Sequence, residues 1–134
     1  MTAMPQMRIG QGFDVHRFAD PVEGRKLMLM GCEVPHDRGL AGHSDADVML
    51  HALMDALLGA AGLGDIGQHF PDTDAAYKGA DSFALLEQVV ATLRERGWRV
   101  MSADVCLIGE RPKLAPHRER MRARVAPALG LDPD

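Results

Sequence analysis

The sequence predicts an α+β fold in which a single layer of helices packs on a mixed β-sheet. Short runs with alternating apolar and polar residues predict strands, and three longer stretches with capping residues predict helices. Their order is strand, strand, helix, helix, strand, helix, which places the helices on one sheet face. No internal repeat or domain boundary is visible, so residues 1–134 are expected to form a single domain.

The first strands are marked by glycines. Residues 7–17 predict a strand in which Gly10 and Gly12 let another part of the backbone approach closely. Residues 26–35 form a second apolar run that is broken by Gly31 and stopped by a proline. This run predicts a strand, a bend and a short strand.

The first helix is the clearest element. Ser44 and Asp47 have the spacing of a capping box, and the apolar run that follows consists of strong helix formers. We predict a helix over residues 45–61. Gly62 and Gly64 then provide the positive φ angles that commonly end a helix.

A polar, turn-rich segment separates the first helix from the second. Loops of this length in a compact domain are commonly functional. The second helix is predicted to begin at a cap formed by Asp81 or Ser82. Apolar residues then recur every three to four positions, and Gly97 ends the helix.

The last two predicted elements are a strand and a helix. Residues 112–130 predict a helix that should kink or stop just before Pro127, because proline removes a helical hydrogen bond. Residues 98–110 alternate and predict a long strand. One face of that strand would carry Met101, Ala103, Val105 and Leu107.

Composition excludes several classes of protein. Apolar residues make up 46% and charged residues 25%, as in ordinary globular domains. A net charge of −4 gives no reason to expect a nucleic-acid or membrane partner. No apolar run reaches the roughly 18 residues of a membrane span, and the first residues, MTAMPQM, lack the basic start and the apolar core expected of a signal peptide. Cys32 and Cys106 are too far apart for a zinc ribbon, and a reducing cytoplasm is expected.

Two polar stripes predict a metal site. Asp14 and His16 project from the same face of the first strand, because alternate residues of a strand share a face. Asp47, His51 and Asp55 are spaced by four along the first helix. One carboxylate and two imidazoles suit Zn²⁺ and leave a fourth position open. Asp47 or Asp55 could accept the remaining N–H of a ligand histidine.

Each of these residues also has a simpler interpretation. Asp14 and His16 could be a surface pair, and His51 could be a hydrogen-bonded core histidine. Asp47 could act only as a carboxylate at a helix start. The joint occurrence favours a metal site, because buried charge on two elements would otherwise be costly.

Phosphate chemistry is indicated by the start of the first helix. The backbone N–H groups of residues 44–47 could receive an anion, with His43 beside them. Lys113 could neutralise a second phosphate, or it could be a solvent-exposed lysine. Ser44 fits a capping role, and both cysteines lie in apolar runs, so no activated nucleophile is visible. Metal-assisted displacement at phosphorus, with substrate or water as nucleophile, is the remaining reaction class.

Four stretches carry a family resemblance: GFDVHRF, GHSDADVMLHALMDALLGAAGLGDIGQHFPDTD, YKGADS and ERPKLAPH. From Met7 to about Leu131 the chain resembles the 2-C-methyl-D-erythritol 2,4-cyclodiphosphate synthases of the non-mevalonate isoprenoid pathway. The resemblance implies a lyase that converts 4-diphosphocytidyl-2-C-methyl-D-erythritol 2-phosphate into the cyclic diphosphate and CMP. It also implies a homotrimer with active sites between subunits.

The resemblance implies roles for individual residues. Asp14, His16 and His51 match the zinc ligands, and Asp47 matches a residue just outside them. Phe13 matches a residue lining a cavity on the trimer axis. The remaining matches contact substrate phosphates (His43, Ser44), ribose (Asp65, Gly67), methylerythritol (Ile66, Phe70, Asp72) and cytidine (Gly109, Lys113, Leu114, Ala115).

The implied reaction needs no protein nucleophile, because the 2-phosphate of the substrate attacks the β-phosphorus. The family pattern implies one Zn²⁺ per subunit and a second divalent ion, Mg²⁺. The glutamate ligand of that second ion belongs to a Thr-Thr-Thr-Glu strand, which we expect beyond Asp134. The alternatives are a zinc-dependent phosphoesterase acting on a nucleotide substrate and a metal- or nucleotide-binding protein without turnover.

Overall fold

The structure is a computed structural model and describes residues 6–134. The expectation that the first residues lack the features of a signal peptide falls mainly on residues 1–5, which lie outside the described residues. The helices are α1 (Val48–Ala60), α2 (Ile66–His69), α3 (Ser82–Glu95) and α4 (Arg118–Leu129), and the strands are β1 (Leu27–Leu29) and β2 (Cys32–Val34). Short 3₁₀ turns occupy Pro21–Glu23, Ala75–Tyr77 and Ala115–His117. The α+β class is therefore confirmed as helices with a small sheet.

The β1–β2 hairpin confirms the predicted strand, bend and strand. β1 pairs antiparallel with β2, and Met30 and Gly31 form the turn with φ angles of 52° and 74°. Left-handed angles at both positions are what a two-residue hairpin turn requires. The Asp47 carboxylate accepts the N–H groups of both turn residues, at 3.0 and 2.7 Å. The turn is thereby fixed against the start of α1.

Helix α1 begins three residues later than predicted. Ala46 has a φ of 57°, a left-handed conformation that a helix cannot include. The capping role therefore passes from Ser44 to Asp47, whose carboxylate accepts the Leu50 N–H at 3.0 Å. After the helix, Gly62 and Gly64 adopt φ angles of 71° and 88°, as predicted.

Helix α3 follows the prediction, while α4 does not. Asp81 caps α3 by accepting the Phe83 N–H. Helix α4 begins at Arg118 rather than at the predicted residue 112, and it continues through Pro127 to Leu129. Of the predicted kink or stop just before the proline, the stop is therefore wrong. The buried Leu129 side chain and the left-handed Gly130 hold the final turn in place.

Two predicted strands are extended but belong to no sheet within residues 6–134. Residues 7–17 and 98–110 contain no strand, because no described segment forms a continuous ladder with them. The predicted mixed sheet is thus reduced to the antiparallel hairpin and an isolated bridge between Phe18 and Leu40. Of the four residues predicted to share one packed face of residues 98–110, only two are partly buried. Val105 and Leu107 are partly buried, whereas Met101 and Ala103 are exposed.

The alternation of partly buried and exposed residues predicted for residues 7–17 is present although this segment belongs to no sheet. Gly10, Gly12, Asp14 and His16 are partly buried, and the residues between them are exposed. A Cβ atom on Gly12 would overlap the backbone carbonyl of Ala52 in α1. The predicted close backbone approach is therefore confirmed, and it is this contact that brings Asp14 and His16 to α1.

The core has two parts. One lies among α1, α3 and α4, and the other lies between the hairpin and the start of α1. None of the helices within residues 6–134 is long and apolar enough to cross a membrane.

Candidate metal centre

Three predicted ligands converge in the structure. One ligand atom from each of Asp14, His16 and His51 lies within 4.8 Å of the other two. The Asp14 Oδ2 atom is 2.8 Å from His16 Nε2 and 3.2 Å from His51 Nδ1. The two imidazole nitrogens are 3.2 Å apart. An extended segment and a helix, separated by more than thirty residues of sequence, thus form one three-atom cluster.

The backbone fixes the orientation of His16. Its Nδ1 atom lies 2.8 Å from the Ala41 carbonyl oxygen, which can only accept a hydrogen bond. The proton of neutral His16 is therefore on Nδ1, and the Nε2 lone pair points at the cluster.

His51 is oriented in the same way by serine hydroxyls. Its Nε2 atom lies 3.0 Å from Ser82 Oγ and 3.2 Å from Ser44 Oγ. Ser82 donates its hydroxyl proton to Asp45, so its oxygen accepts the proton on His51 Nε2. The Nδ1 atom then faces the cluster without a proton.

The donor set fits a divalent metal. Three electron-rich atoms converge with both imidazole protons directed away, so a cation between them would relieve their mutual repulsion. One carboxylate with two imidazoles is a common Zn²⁺ donor set, and outer partners on both imidazoles are the usual accompaniment. These residues would therefore hold a metal ion.

Electrostatics in the metal-free cluster follow from the same contacts. Burial raises the pKa of Asp14, but hydrogen bonds and positive charge from His16 and His51 outweigh it and hold that pKa well below its usual range. The hydrogen bond to Asp14 raises the pKa of His16, although burial opposes this shift. Without a metal, a proton on His16 takes the place of the cation beside Asp14.

We expect the Asp14–His16 pair to stabilise the metal-free protein most strongly between about pH 3.8 and pH 6.5, the two unperturbed pKa values. The Asp14 pKa is lowered, so its contribution is present above 3.8 and is lost as pH falls. The His16 pKa is raised, so its contribution is present below 6.5 and is lost as pH rises. Urea midpoints measured in EDTA across this range should show a maximum in the difference between wild type and Asp14→Asn. Parallel profiles for the two proteins would contradict the assignment.

The predicted anion site on the backbone is wrong for three of its four N–H groups. Asp45 N–H donates to the Ala80 carbonyl, and Ala46 N–H donates to Ser44 Oγ. Asp47 N–H donates to the Asp45 carboxylate. Two side chains and one backbone carbonyl therefore accept from the donors that an anion would need.

Asp47 and Asp55 do not contact the imidazole N–H groups, contrary to the role expected of one of them. The Asp47 carboxylate accepts backbone N–H groups from the hairpin turn and from α1, and burial raises its pKa to about 6. Asp55 accepts the Ile66 N–H at 2.9 Å. Both carboxylates therefore position backbone segments. The imidazole N–H groups of His16 and His51 bond to the Ala41 carbonyl and the Ser82 hydroxyl instead.

The other expected contact residues lie on loops and short turns. His43 Nε2 is 3.1 Å from the Asp74 carbonyl, and the Asp65 carboxylate caps α2. Within residues 6–134, no side-chain hydrogen bond connects these residues to the three-ligand cluster. Among these residues, His43, Ile66, Phe70 and Leu114 are partly buried, and the exposed members are Phe13, Asp65, Gly67, Asp72, Gly109, Lys113 and Ala115.

The family to which this chain belongs follows from the match of its sequence to a family model. A sequence model of the YgbB family matches residues 7–134. The chain belongs to the YgbB family. This match covers the three-ligand cluster and all the motif stretches that carried the resemblance.

Two relatives of this YgbB chain carry the same name. A Chromobacterium violaceum protein named 2-C-methyl-D-erythritol 2,4-cyclodiphosphate synthase is 62% identical over 125 residues, or 93% of this chain and 77% of that protein. A Dechloromonas aromatica protein of the same name is 61% identical over 127 residues, or 95% and 78% of the two chains. The resemblance inferred from the motifs is thereby confirmed.

Solved structures share the fold. One described as a 2C-methyl-D-erythritol-2,4-cyclodiphosphate synthase has a TM-score of 0.86 and 43% identity, covering 95% of this chain and 83% of its own. The bifunctional IspDF from Campylobacter jejuni has a TM-score of 0.87 and 44% identity, covering 94% of this chain and 33% of its own. The arrangement of helices and hairpin is therefore that of the YgbB family.

Sequence reasoning missed two residues of this YgbB chain that lie outside the cluster: Ser82, which contacts His51, and Asp45, which contacts Ser82. Ser82 was considered only as a helix cap, and Asp45 only as part of a helix start. Ser82 is 31 positions from His51 and 37 from Asp45, and no periodic pattern relates them. Only the packing of the first turn of α3 against the first turn of α1 brings them together.

Proposed function

We propose that this chain is a CMP-releasing phosphorus–oxygen lyase that converts 4-diphosphocytidyl-2-C-methyl-D-erythritol 2-phosphate into 2-C-methyl-D-erythritol 2,4-cyclodiphosphate. The convergence of Asp14, His16 and His51 into an open three-ligand cluster carries the proposal, because it provides a metal site for phosphoryl transfer. The relatives named as synthases of this product support it. A solved relative described as bound to CDP supports a cytidine nucleotide as part of the substrate.

Asp14, His16 and His51 would hold one Zn²⁺. When bound, Zn²⁺ would supply Lewis-acid stabilisation of charge on a phosphoryl oxygen, and a second divalent ion, Mg²⁺, would neutralise charge on the diphosphate. The protein's own contribution is orientation, because the Ala41 carbonyl and the Ser82 hydroxyl hold both imidazoles in fixed directions.

Ser44 is the best-placed group for a substrate phosphate. Its Oγ accepts the Ala46 N–H and lies 3.2 Å from His51 Nε2, so its own hydroxyl proton can be donated to a phosphate oxygen. No protein nucleophile is needed, because the substrate's 2-phosphate attacks the β-phosphorus and CMP leaves. We assign the remaining substrate contacts to His43, Asp65, Ile66, Gly67, Phe70, Asp72, Gly109, Lys113, Leu114 and Ala115.

We further propose a cytoplasmic homotrimer of single catalytic domains, with active sites between subunits. Ile9, Phe13 and Val15 lie on one face of the extended segment, and their exposed fractions are 96%, 75% and 72%. An exposed apolar face of this kind is typical of an interface. Phe13 would face a cavity on the trimer axis, on the side opposite Asp14. Sedimentation equilibrium of the full-length protein should give the mass of three chains.

A product assay in ¹⁸O-labelled water tests the proposed reaction. We expect ³¹P NMR and mass spectrometry of the full-length protein with Zn²⁺ and Mg²⁺ to show the cyclic diphosphate and CMP, both without the label. Incorporation of ¹⁸O into either product would instead identify a zinc-dependent phosphoesterase that uses water. Metal and nucleotide binding without released CMP would identify a binding protein.

A further inference from the structure

A buried serine and a neighbouring aspartate form a clamp outside the metal ligands. Ser82 is fully buried, and its hydroxyl donates to one oxygen of Asp45. The other Asp45 oxygen accepts the Ser82 backbone N–H at 3.0 Å. Asp45 is itself fixed, because its N–H donates to the Ala80 carbonyl at 3.0 Å. The carboxylate therefore holds both polar hydrogens of Ser82.

This clamp leaves the Ser82 oxygen only one role towards His51. A serine hydroxyl has a single proton, and Asp45 accepts it. The oxygen lies 3.0 Å from His51 Nε2 and can only accept from it. A proton on Nε2 in turn excludes one on Nδ1 in a neutral imidazole, and Nδ1 is the atom that faces Asp14 and His16.

We propose that Ser82 and Asp45 are positioning residues that fix His51 in the Nε2–H tautomer and direct its Nδ1 lone pair to the metal. The proposal rests on the metal site of the proposed function. Neither residue contacts the ligand atoms of the cluster, so the two residues act through His51. The first turns of α1 and α3 meet at this contact, so the same clamp connects the metal site to the helix packing.

Ser44 also contacts His51 Nε2, but it cannot fix the tautomer. Its Oγ is 3.2 Å away and accepts the Ala46 N–H, and its hydroxyl proton is not committed to a carboxylate. A hydroxyl with a free proton can donate to an imidazole nitrogen or accept from it. In the absence of Ser82, both tautomers of His51 would therefore be compatible with Ser44.

The tautomer can be measured directly in the metal-free, full-length protein. ¹H–¹⁵N correlation spectra of the imidazole nitrogens at alkaline pH should show His51 protonated on Nε2 in the wild type. In Ser82→Ala we expect a mixture of the two tautomers, and Ser82→Thr, which keeps a hydroxyl, should restore the wild-type signal. Ser102→Ala removes an exposed serine hydroxyl and serves as the matched control.

Metal affinity provides the second readout. By chelator competition, Ser82→Ala should bind Zn²⁺ about 10–100-fold more weakly than wild type, since losing an outer partner of a ligand histidine has an effect of this size. Asp45→Asn keeps the side-chain volume but no longer commits the Ser82 proton, so it should weaken Zn²⁺ binding in the same direction. It also tests the proposal if Ser82→Ala does not fold.

The outcomes separate this proposal from the proposed function. A single Nε2–H tautomer in Ser82→Ala, with Zn²⁺ affinity within about twofold of wild type, would overturn the positioning role even if the variant were less stable. A wild-type protein that binds no Zn²⁺ would overturn the metal site, whereas the tautomer of the metal-free protein would still decide the role of Ser82.

Discussion

His51→Ala should abolish zinc binding and, with it, the release of CMP. His51 contributes one of only three ligand atoms in the cluster, and it is buried, so no solvent-exposed group replaces it. Losing only an outer partner of a ligand costs about 10–100-fold in metal affinity, so losing the ligand itself should cost more than about 100-fold. Metal analysis after dialysis should find less than stoichiometric zinc, and the product assay should detect no CMP.

The control for this variant is His36→Ala. His36 Nε2 lies 3.2 Å from the carboxylate of the exposed Asp37, outside the cluster. The His36→Ala variant should retain both zinc binding and turnover. Circular dichroism must show that His51→Ala remains folded, and Asp14→Ala and His16→Ala should reproduce its loss of metal. Full zinc occupancy in folded His51→Ala would refute the ligand assignment.

The three ligands could be predicted because each follows from a local period. Alternation along an extended segment puts Asp14 and His16 on one face, and it holds in the structure although no strand forms. His51 and Asp55 are the polar side chains of an otherwise apolar helix, and the buried His51 therefore needs hydrogen-bond or metal partners. Local patterns therefore identified the atoms that converge, although they did not show how the imidazoles are oriented.

The surroundings of the ligands could not be predicted in the same way. Ser82 reaches His51 only because α1 and α3 pack together, and no local pattern encodes that contact. The loop before α1 was predicted to present N–H groups to an anion, but Ser44 and Asp45 accept them instead. Short polar side chains compete for nearby backbone donors, and their choice depends on loop geometry that a sequence does not show.

The same distinction applies to the fold. The hairpin and the starts of α1 and α3 depend on turn and capping residues that are close in sequence, so they were predicted to within three residues. Helix α2 was not predicted, and α4 begins at Arg118 rather than at residue 112. A strand needs a neighbour with which it forms a ladder of hydrogen bonds, and residues 7–17 and 98–110 form no such ladder within the described chain. Their extended conformation was predictable, whereas their pairing is a non-local property.

Gly12→Ala should both destabilise the protein and weaken its metal site. A Cβ atom at this position would overlap the Ala52 carbonyl oxygen and lie 2.8 Å from the Ala56 nitrogen. Both are backbone atoms of α1, held by helical hydrogen bonds, so neither can move aside as a flexible side chain would. The extended segment must shift instead, and we expect a loss of about 3 kcal/mol in the free energy of unfolding.

The shift would be transmitted to the ligands, because Asp14 follows Gly12 by two residues on the same face. Metal sites tolerate displacements of only about 0.5 Å, so zinc affinity should fall at least about tenfold. Gly59→Ala is the matched control. Gly59 lies in α1 with no atom within 4 Å of a new Cβ, and alanine there should leave stability unchanged or raise it by up to about 1 kcal/mol.

Urea denaturation in EDTA and zinc competition, carried out on both variants, separate the two effects. If the close approach of the two backbones positions the site, Gly12→Ala will unfold at lower urea than Gly59→Ala and will also bind zinc more weakly. Equal midpoints for the two variants would show that the segment can move away from α1 without cost. The glycine would then have no part in bringing Asp14 and His16 to His51, and the convergence of the ligands would need another cause.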